Sequence, residues 1–233
     1  MLAQARVRIA TLCIAALGAM APAAHAQLAG SLAVSTNEMF RGESISSGDP
    51  VVAANISLDS RSGLFAGASA SLALDADVPR ISALVQYLGY AARSGEITAE
   101  VGLIHRSYAR IIDIDYHRGF FEGFVGVGFR GVRARFYASP DYKIGGGASY
   151  YAEINAPLLK VEKFRLEGHA GLSLIPYENA YYRSRLRRYR DWRLQISRPI
   201  GPLFIAVGVN GTNYPVYSET GRARAYASIS RAF

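Results

Sequence analysis

The chain has 233 residues, 26 Lys+Arg against 18 Asp+Glu and a formal net charge of +8, with 50% apolar and 19% charged residues. That hydrophobicity excludes a disordered chain, and a single cysteine excludes a disulfide scaffold or a multi-thiolate zinc site. At roughly 100–200 residues per domain, one large β domain accommodates the whole body of the chain.

Residues 1–26 have the layout of a secretory signal. Arg6 and Arg8 form a positive n-region, 9–21 is apolar, and Ala24-His25-Ala26 is a small-x-small cleavage site. Pro22 interrupts the apolar run, which is shorter than the ~20 residues of a helical span. Cys13 lies inside this segment, and its context Ala10-Thr11-Leu12 lacks the small residues that precede a lipidated cysteine. Cleavage before Gln27 is expected, leaving an exported, thiol-free domain over 27–233.

Period-two alternation dominates the rest. Leu64, Ala66, Ala68, Ala70, Leu72 and Leu74 share one face, with Gly67, Ser69 and Ser71 on the other. Val132, Ala134, Phe136 and Ala138 alternate with Arg133, Arg135, Tyr137 and Ser139. Leu166 to Leu174 alternate in the same way with Arg165, Glu167, His169 and Ser173. Such segments are strands with one oily and one wet face. The pattern predicts strands at 28–36, 51–60, 64–74, 80–91, 96–106, 116–128, 131–139, 147–156, 164–175, 188–198, 203–212 and 222–233. Short turns (61–63, 92–95, 128–131, 199–202) alternate with longer loops (37–50, 107–115, 140–146, 176–187, 213–221). Two connections fit the rhythm less well: 75–79 is a short loop and 157–163 a long turn.

These features predict an all-β, transmembrane, antiparallel up-and-down β-barrel of about twelve strands, within a range of ten to fourteen. An even strand number places both termini on the periplasmic side. A soluble sandwich or lipocalin-like barrel also alternates, around a dry core. Three features favour the membrane: small residues on the apolar faces, Arg and Glu recurring on the other face, and aromatics near strand ends. Those aromatics are Tyr87, Tyr90, Tyr108, Phe120, Phe121, Tyr150, Tyr151 and Trp192. The chain ends on Phe233 behind Ala225, Ala227 and Ile229, with Arg231 breaking the alternation. Phe233 is the expected signal for the barrel-assembly machinery.

Residues 35–52 contain Phe40-Arg41-Gly42, Ser44, Ser46 and Pro50. Gly63-Leu64-Phe65-Ala66-Gly67 and Tyr87-Leu88-Gly89-Tyr90 follow. This stretch resembles the opening of the TorF-type porins, also called the Gcw_chp family, of Gram-negative bacteria. The resemblance covers about residues 35–90 and implies a porin barrel without a defined solute. The acidic residues usual before the aromatic-Gly-aromatic strand are replaced by Ala83 and Val85.

On the wet faces, Arg80, Arg133, Arg135, Glu153, Arg165, Glu167 and Arg224 are the candidate pore-lining residues. Arg would set a positive potential and Glu would pair with it and narrow the bore. Two readings remain open: a narrow pore, and a barrel filled by Arg–carboxylate pairs. The densest basic run holds Arg183, Arg185, Arg187, Arg188 and Arg190. It reads as a basic loop, either merely solvated or capturing glycolipid phosphates or anionic solutes. Asp113, Asp115 and His117 lack the further ligand a metal site needs, so no metal is expected. No cofactor and no nucleic acid is expected either. His169 and Ser173 stand roughly 13 Å apart on one strand, too far for a hydrolase pair. The expected function is passive diffusion of small anionic or neutral solutes through the bacterial outer membrane, without enzymatic activity. The alternatives are a non-conducting structural or adhesive barrel and, more remotely, an outer-membrane hydrolase. Expected partners are outer-membrane lipid, the assembly machinery and small solutes; the oligomeric state is open.

Overall fold

The computed structural model describes residues 26–75, 78–108, 119–142, 147–179, 182–213 and 223–233, with 26, 177–179 and 182–187 described by backbone alone. The strands in chain order are β1 (Ala26–Ser35), β2 (Met39–Phe40), β3 (Glu43–Ser44), β4 (Val51–Ser60), β5 (Leu64–Ala73), β6 (Arg80–Ser94) and β7 (Ile97–Tyr108). They continue as β8 (Phe120–Phe129), β9 (Val132–Tyr142), β10 (Gly147–Val161), β11 (Phe164–Asn179), β12 (Tyr182–Ile200), β13 (Leu203–Thr212) and β14 (Arg224–Ala232). All but β2 and β3 close into one antiparallel barrel of twelve strands, sealed where β1 pairs with both β4 and β14. Closure leaves no unpaired edge in the wall. The expected fold class stands.

Register keeps the oily faces together. Leu58 lies opposite Ala66, Ala66 opposite Leu88, and Leu88 opposite Leu103. A slip of one residue would turn each of these faces inward. Leu28, Leu64, Leu88, Leu103, Val125, Ile154 and Val207 are exposed on the outside, whereas Glu122, Ser139, Ser173 and Asp191 are buried inside. Apolar outside and polar inside is the reverse of a soluble sandwich and suits hydrocarbon contact.

The aromatics expected at the membrane interfaces divide by parity. Phe121, Phe136, Tyr150 and Trp192 are exposed near the loop end, and Tyr90, Phe129, Phe164 and Phe233 near the turn end. Phe121 and Phe129 are eight residues apart, about 26 Å along the strand, so a tilt near 40° gives ~20 Å of height, close to the apolar band of a membrane barrel. Tyr108, Phe120 and Tyr151 instead point inward and are buried. Adjacent aromatics such as Phe120-Phe121 and Tyr150-Tyr151 necessarily face opposite sides. The inward set builds two clusters on the β6–β10 side: Ile45, Tyr108, Phe120 and Tyr142, and Ile104, Phe124, Tyr137 and Tyr151.

Two connections differ from expectation. The segment 176–187 continues as wall, with Tyr177 opposite Arg185 and Asn179 opposite Tyr182. The basic run therefore sits on strand β12 and not in a loop: Arg183, Arg185 and Arg187 alternate with Ser184 and Leu186 at the strand period, and the backbone pairs with β11. The segment 157–163 is mostly strand: β10 reaches Val161 through a register shift between Pro157 and Leu159. Proline, lacking an N–H, is tolerated at such a bulge.

Candidate pore lumen

The β1–β4 connection is not an outward loop; it folds into the barrel. β2 and β3 pair Met39 with Ser44 and Phe40 with Glu43, around Arg41 (φ 49°) and Gly42 (φ 78°). Two successive positive φ angles make the turn whose twist suits a tight hairpin. A Cβ on Gly42 would lie 2.6 Å from Thr212 Cβ and 2.9 Å from the Gly211 carbonyl, so the tip presses on the β12–β13 wall.

Serines and a carboxylate hold the base of this hairpin. Asn37 Oδ1 accepts from the hydroxyls of Ser44 (2.7 Å) and Ser46 (2.9 Å). Ser71 and Ser82 donate to the two oxygens of Glu38 (2.7 and 2.8 Å), docking the loop on β5 and β6. Arg80 donates to the Ser46 carbonyl (3.0 Å) and to Asp49 (3.1 Å).

Arg41 crosses the bore. Its Nη2 donates to Glu122 Oε1 on β8 at 2.5 Å, with side-chain exposures of 6% and 1%. Arg106 Nε donates to the other Glu122 oxygen at 2.9 Å. The Arg41 guanidinium also lies 3.9 Å from the Tyr151 ring centroid, a cation–π contact. Burial works against the Arg41 charge. The fields of Tyr142 and Glu122 and the Glu122 hydrogen bond outweigh burial and push its pKa above the ordinary value.

Below the hairpin the wall carries paired charges. Arg135 on β9 makes two hydrogen bonds to Glu100 on β7, at 2.6 and 3.0 Å, reaching across β8. Gly126 makes that reach possible, since a Cβ there would lie 2.5 Å from Glu100 Oε1. Tyr137 donates to Glu153 at 3.0 Å. On the adjoining strands His169 Nε2 lies 2.8 Å from Asp191 Oδ1, and Tyr151 donates to that same oxygen at 3.1 Å. His169 Nδ1 lies 2.9 Å from Asn155 Oδ1.

Two spaces inside the barrel are lined by described residues. One, of about 290 Å³, lies between the hairpin tip and the β10–β13 wall, with Arg41, Glu153, His169, Asp191, Arg193 and Asn210 among its lining. The other, of about 420 Å³, opens at the turn end beside Arg93, Glu96, Glu100, Arg130 and Arg133. Among the described residues, Arg133 and Arg193 form no ion pair.

The predicted residues take different places. Arg133 borders the turn-end vestibule, Arg135 is tied to Glu100, and Glu153 accepts from Tyr137. Arg165 and Glu167 approach each other at 3.7 Å near the same end. Arg80 clasps the base of the hairpin, and Arg224 lies near Gly48 of the same connection. Arg188 and Arg190 are exposed on the outside of β12; the side chains of Arg183, Arg185 and Arg187 lie outside the described residues. So do Asp113, Asp115, His117 and residues 1–25. Phe233 closes the seam, exchanging backbone hydrogen bonds with Gly30 at 2.9 Å each way. Arg41 and Arg106 were not foreseen as lumen residues. The one available signal was Arg-Gly beside an aromatic in a serine-rich connection.

The sequence matches the family described as "Bacterial protein of unknown function (Gcw_chp)" over residues 19–233. The chain belongs to the Gcw_chp family. No curated protein matches it. Among solved structures, the NanC porin is similar at a TM-score of 0.55 and 6% identity, covering 87% of this chain and 97% of its own. The KdgM porin is similar at 0.51 and 10% identity, covering 88% and 99%. At such identities the likeness concerns the fold: this Gcw_chp protein has a porin-like barrel. The Phe40-Arg41-Gly42, Ser44 and Ser46 pattern that carried the resemblance is the hairpin tip and its fastening.

Proposed function

We propose that this Gcw_chp protein is an outer-membrane porin, exported with loss of residues 1–26, that passes small anionic or neutral solutes by diffusion. The observation that carries this reading is the charged interior space left beside the Arg41 hairpin and at the turn end, where Arg193 and Arg133 have no ion-pair partner among the described residues. Fixed cations at both spaces raise the local concentration of anions.

The hairpin also favours a second reading, a non-conducting barrel, because Arg41 and its partners occupy the centre of the bore. The two separate in a planar bilayer. The refolded chain 27–233, under a salt gradient, should give discrete steps with a reversal potential on the anion side. Insertion with heat-modifiable gel mobility but without steps would establish the filled barrel instead.

A further inference from the structure

The outer face of β12 carries two arginines that the lumen does not use. Arg188 and Arg190 alternate with Tyr189 and Asp191, which are buried inside, so they share the outward line of Trp192, Leu194 and Ile196. Register agrees: Arg188 lies opposite Leu174 and Arg190 opposite the exposed Leu172. Both arginines are exposed, and among the described residues neither side chain has an ion pair or hydrogen bond. Each two-residue step along a strand is about 7 Å. Arg190 is thus one step beyond Trp192, in the loop-end aromatic girdle, at the depth where lipid headgroups begin.

Beneath them the wall is concave. A groove of about 590 Å³ crosses β12–β14, bordered by Leu194, Ile196, Val207, Val209, Ala225 and Ala227. The two alanines keep it open where larger side chains would fill it. Trp192, two residues before Leu194 on the same outward line, lies over Gly211, where a Cβ would stand 3.2 Å from the ring.

We propose that this is a binding site for a phosphorylated glycolipid of the leaflet on the loop side. A phosphate sits between Arg188 and Arg190, and an acyl chain fills the groove below. Charge complementarity argues for that occupant: two guanidiniums without an ion-pair partner among the described residues, whose forked donors match phosphate oxygens, stand on the outward line of β12 that leads into the apolar groove at Leu194. The site rests on the outer-membrane placement proposed above and is independent of conduction.

The test compares retention of two lipids by the refolded chain 27–233 in native mass spectrometry: diphosphorylated lipid A and the same lipid A with its phosphates removed. Wild type should retain the phosphorylated form preferentially. R188A should lower its retention about fivefold and R188A/R190A roughly thirtyfold, at ~1 kcal/mol for each cation near the lipid surface. Ala227→Trp should lower retention of both lipids while keeping the phosphate preference. Equal retention of the two lipids, or no loss in R188A/R190A, would overturn the proposal. So would displacement by inorganic phosphate as effective as by lipid, which would make the site one for a free anion. Heat-modifiable mobility verifies folding of each variant, with R188K/R190K as the milder pair. Unchanged single-channel conductance in R188A/R190A separates failure of this site from failure of the pore.

Discussion

Glu122 satisfies two guanidiniums at once, Arg41 at 2.5 Å and Arg106 at 2.9 Å, from a position 1% exposed. The three groups do not contribute equally. Removing Arg41 leaves Glu122 still paired with Arg106. Removing Glu122 leaves two buried cations facing each other without a counter-charge. Breaking a buried pair by deleting one partner costs about 3–5 kcal/mol, most of it the stranded charge. Glu122→Met should therefore destabilise the barrel more than Arg41→Met, by about 2 kcal/mol or more. Urea titrations in detergent, read by heat-modifiable mobility, measure the difference. An equal loss in both variants would mean that Arg106 finds another acceptor and that Glu122 is not the shared anchor. A related test concerns Gly126. Gly126→Val would push Glu100 and Arg135 apart, since its first carbon already stands 2.5 Å from Glu100 Oε1. Such overpacking costs about 1–3 kcal/mol.

At the scale of the element, the inward hairpin is more chain than closure requires. Ser35 lies opposite Val51, so β1 and β4 need only a short turn. Replacing residues 36–50 by a short Asn-Gly turn should leave the twelve-stranded wall intact. It should also roughly double single-channel conductance, because twelve strands enclose a bore between the filled and the open sizes. Unchanged conductance would mean that solutes already bypass the hairpin or that other side chains set the limit. The wall was legible in the sequence because alternation is local: Leu64 to Leu74 or Val132 to Ala138 announce their faces without any partner. The hairpin was not, because its direction depends on contacts remote in sequence. Arg41 and Glu122 are 81 residues apart, and nothing in period two distinguishes a connection that folds in from one that projects out. The same limit explains the aromatics. Phe120 and Phe121 are equivalent in composition, and only register assigns one to the interior cluster and the other to lipid. The long β11–β12 hairpin was missed for a different reason, since a charged strand beyond the membrane lacks the oily half of the alternation.

For the whole molecule, the sign of selectivity follows from which lumen charges are already neutralised. Arg41 and Arg106 share Glu122 and Arg135 is held by Glu100, while Asp191 accepts from Tyr151 and lies 2.8 Å from His169 without a cation to cancel its charge among those contacts. Arg133 at the turn-end vestibule and Arg193 beside the inner cavity are cations with no ion-pair partner among the described residues, and Arg93 beside the same vestibule has only a hydrogen bond to Thr98. Reversing the pair, Arg133→Glu with Arg193→Glu, should move the reversal potential from the anion to the cation side. Replacing Arg165, which already has Glu167 3.7 Å away, should move it much less. Ionic strength supplies an independent check. Screening lengths fall from about 10 Å at 0.1 M salt to about 3 Å at 1 M. A bore whose preference comes from a few separated fixed charges must lose most of it over that range, since ions crossing the middle then no longer sense any of them. A preference that persists at 1 M would point instead to contact between the permeating ion and the wall. The discriminating measurement is thus the permeability ratio of wild type and the double variant at both salt concentrations, with convergence at high salt as the expected result.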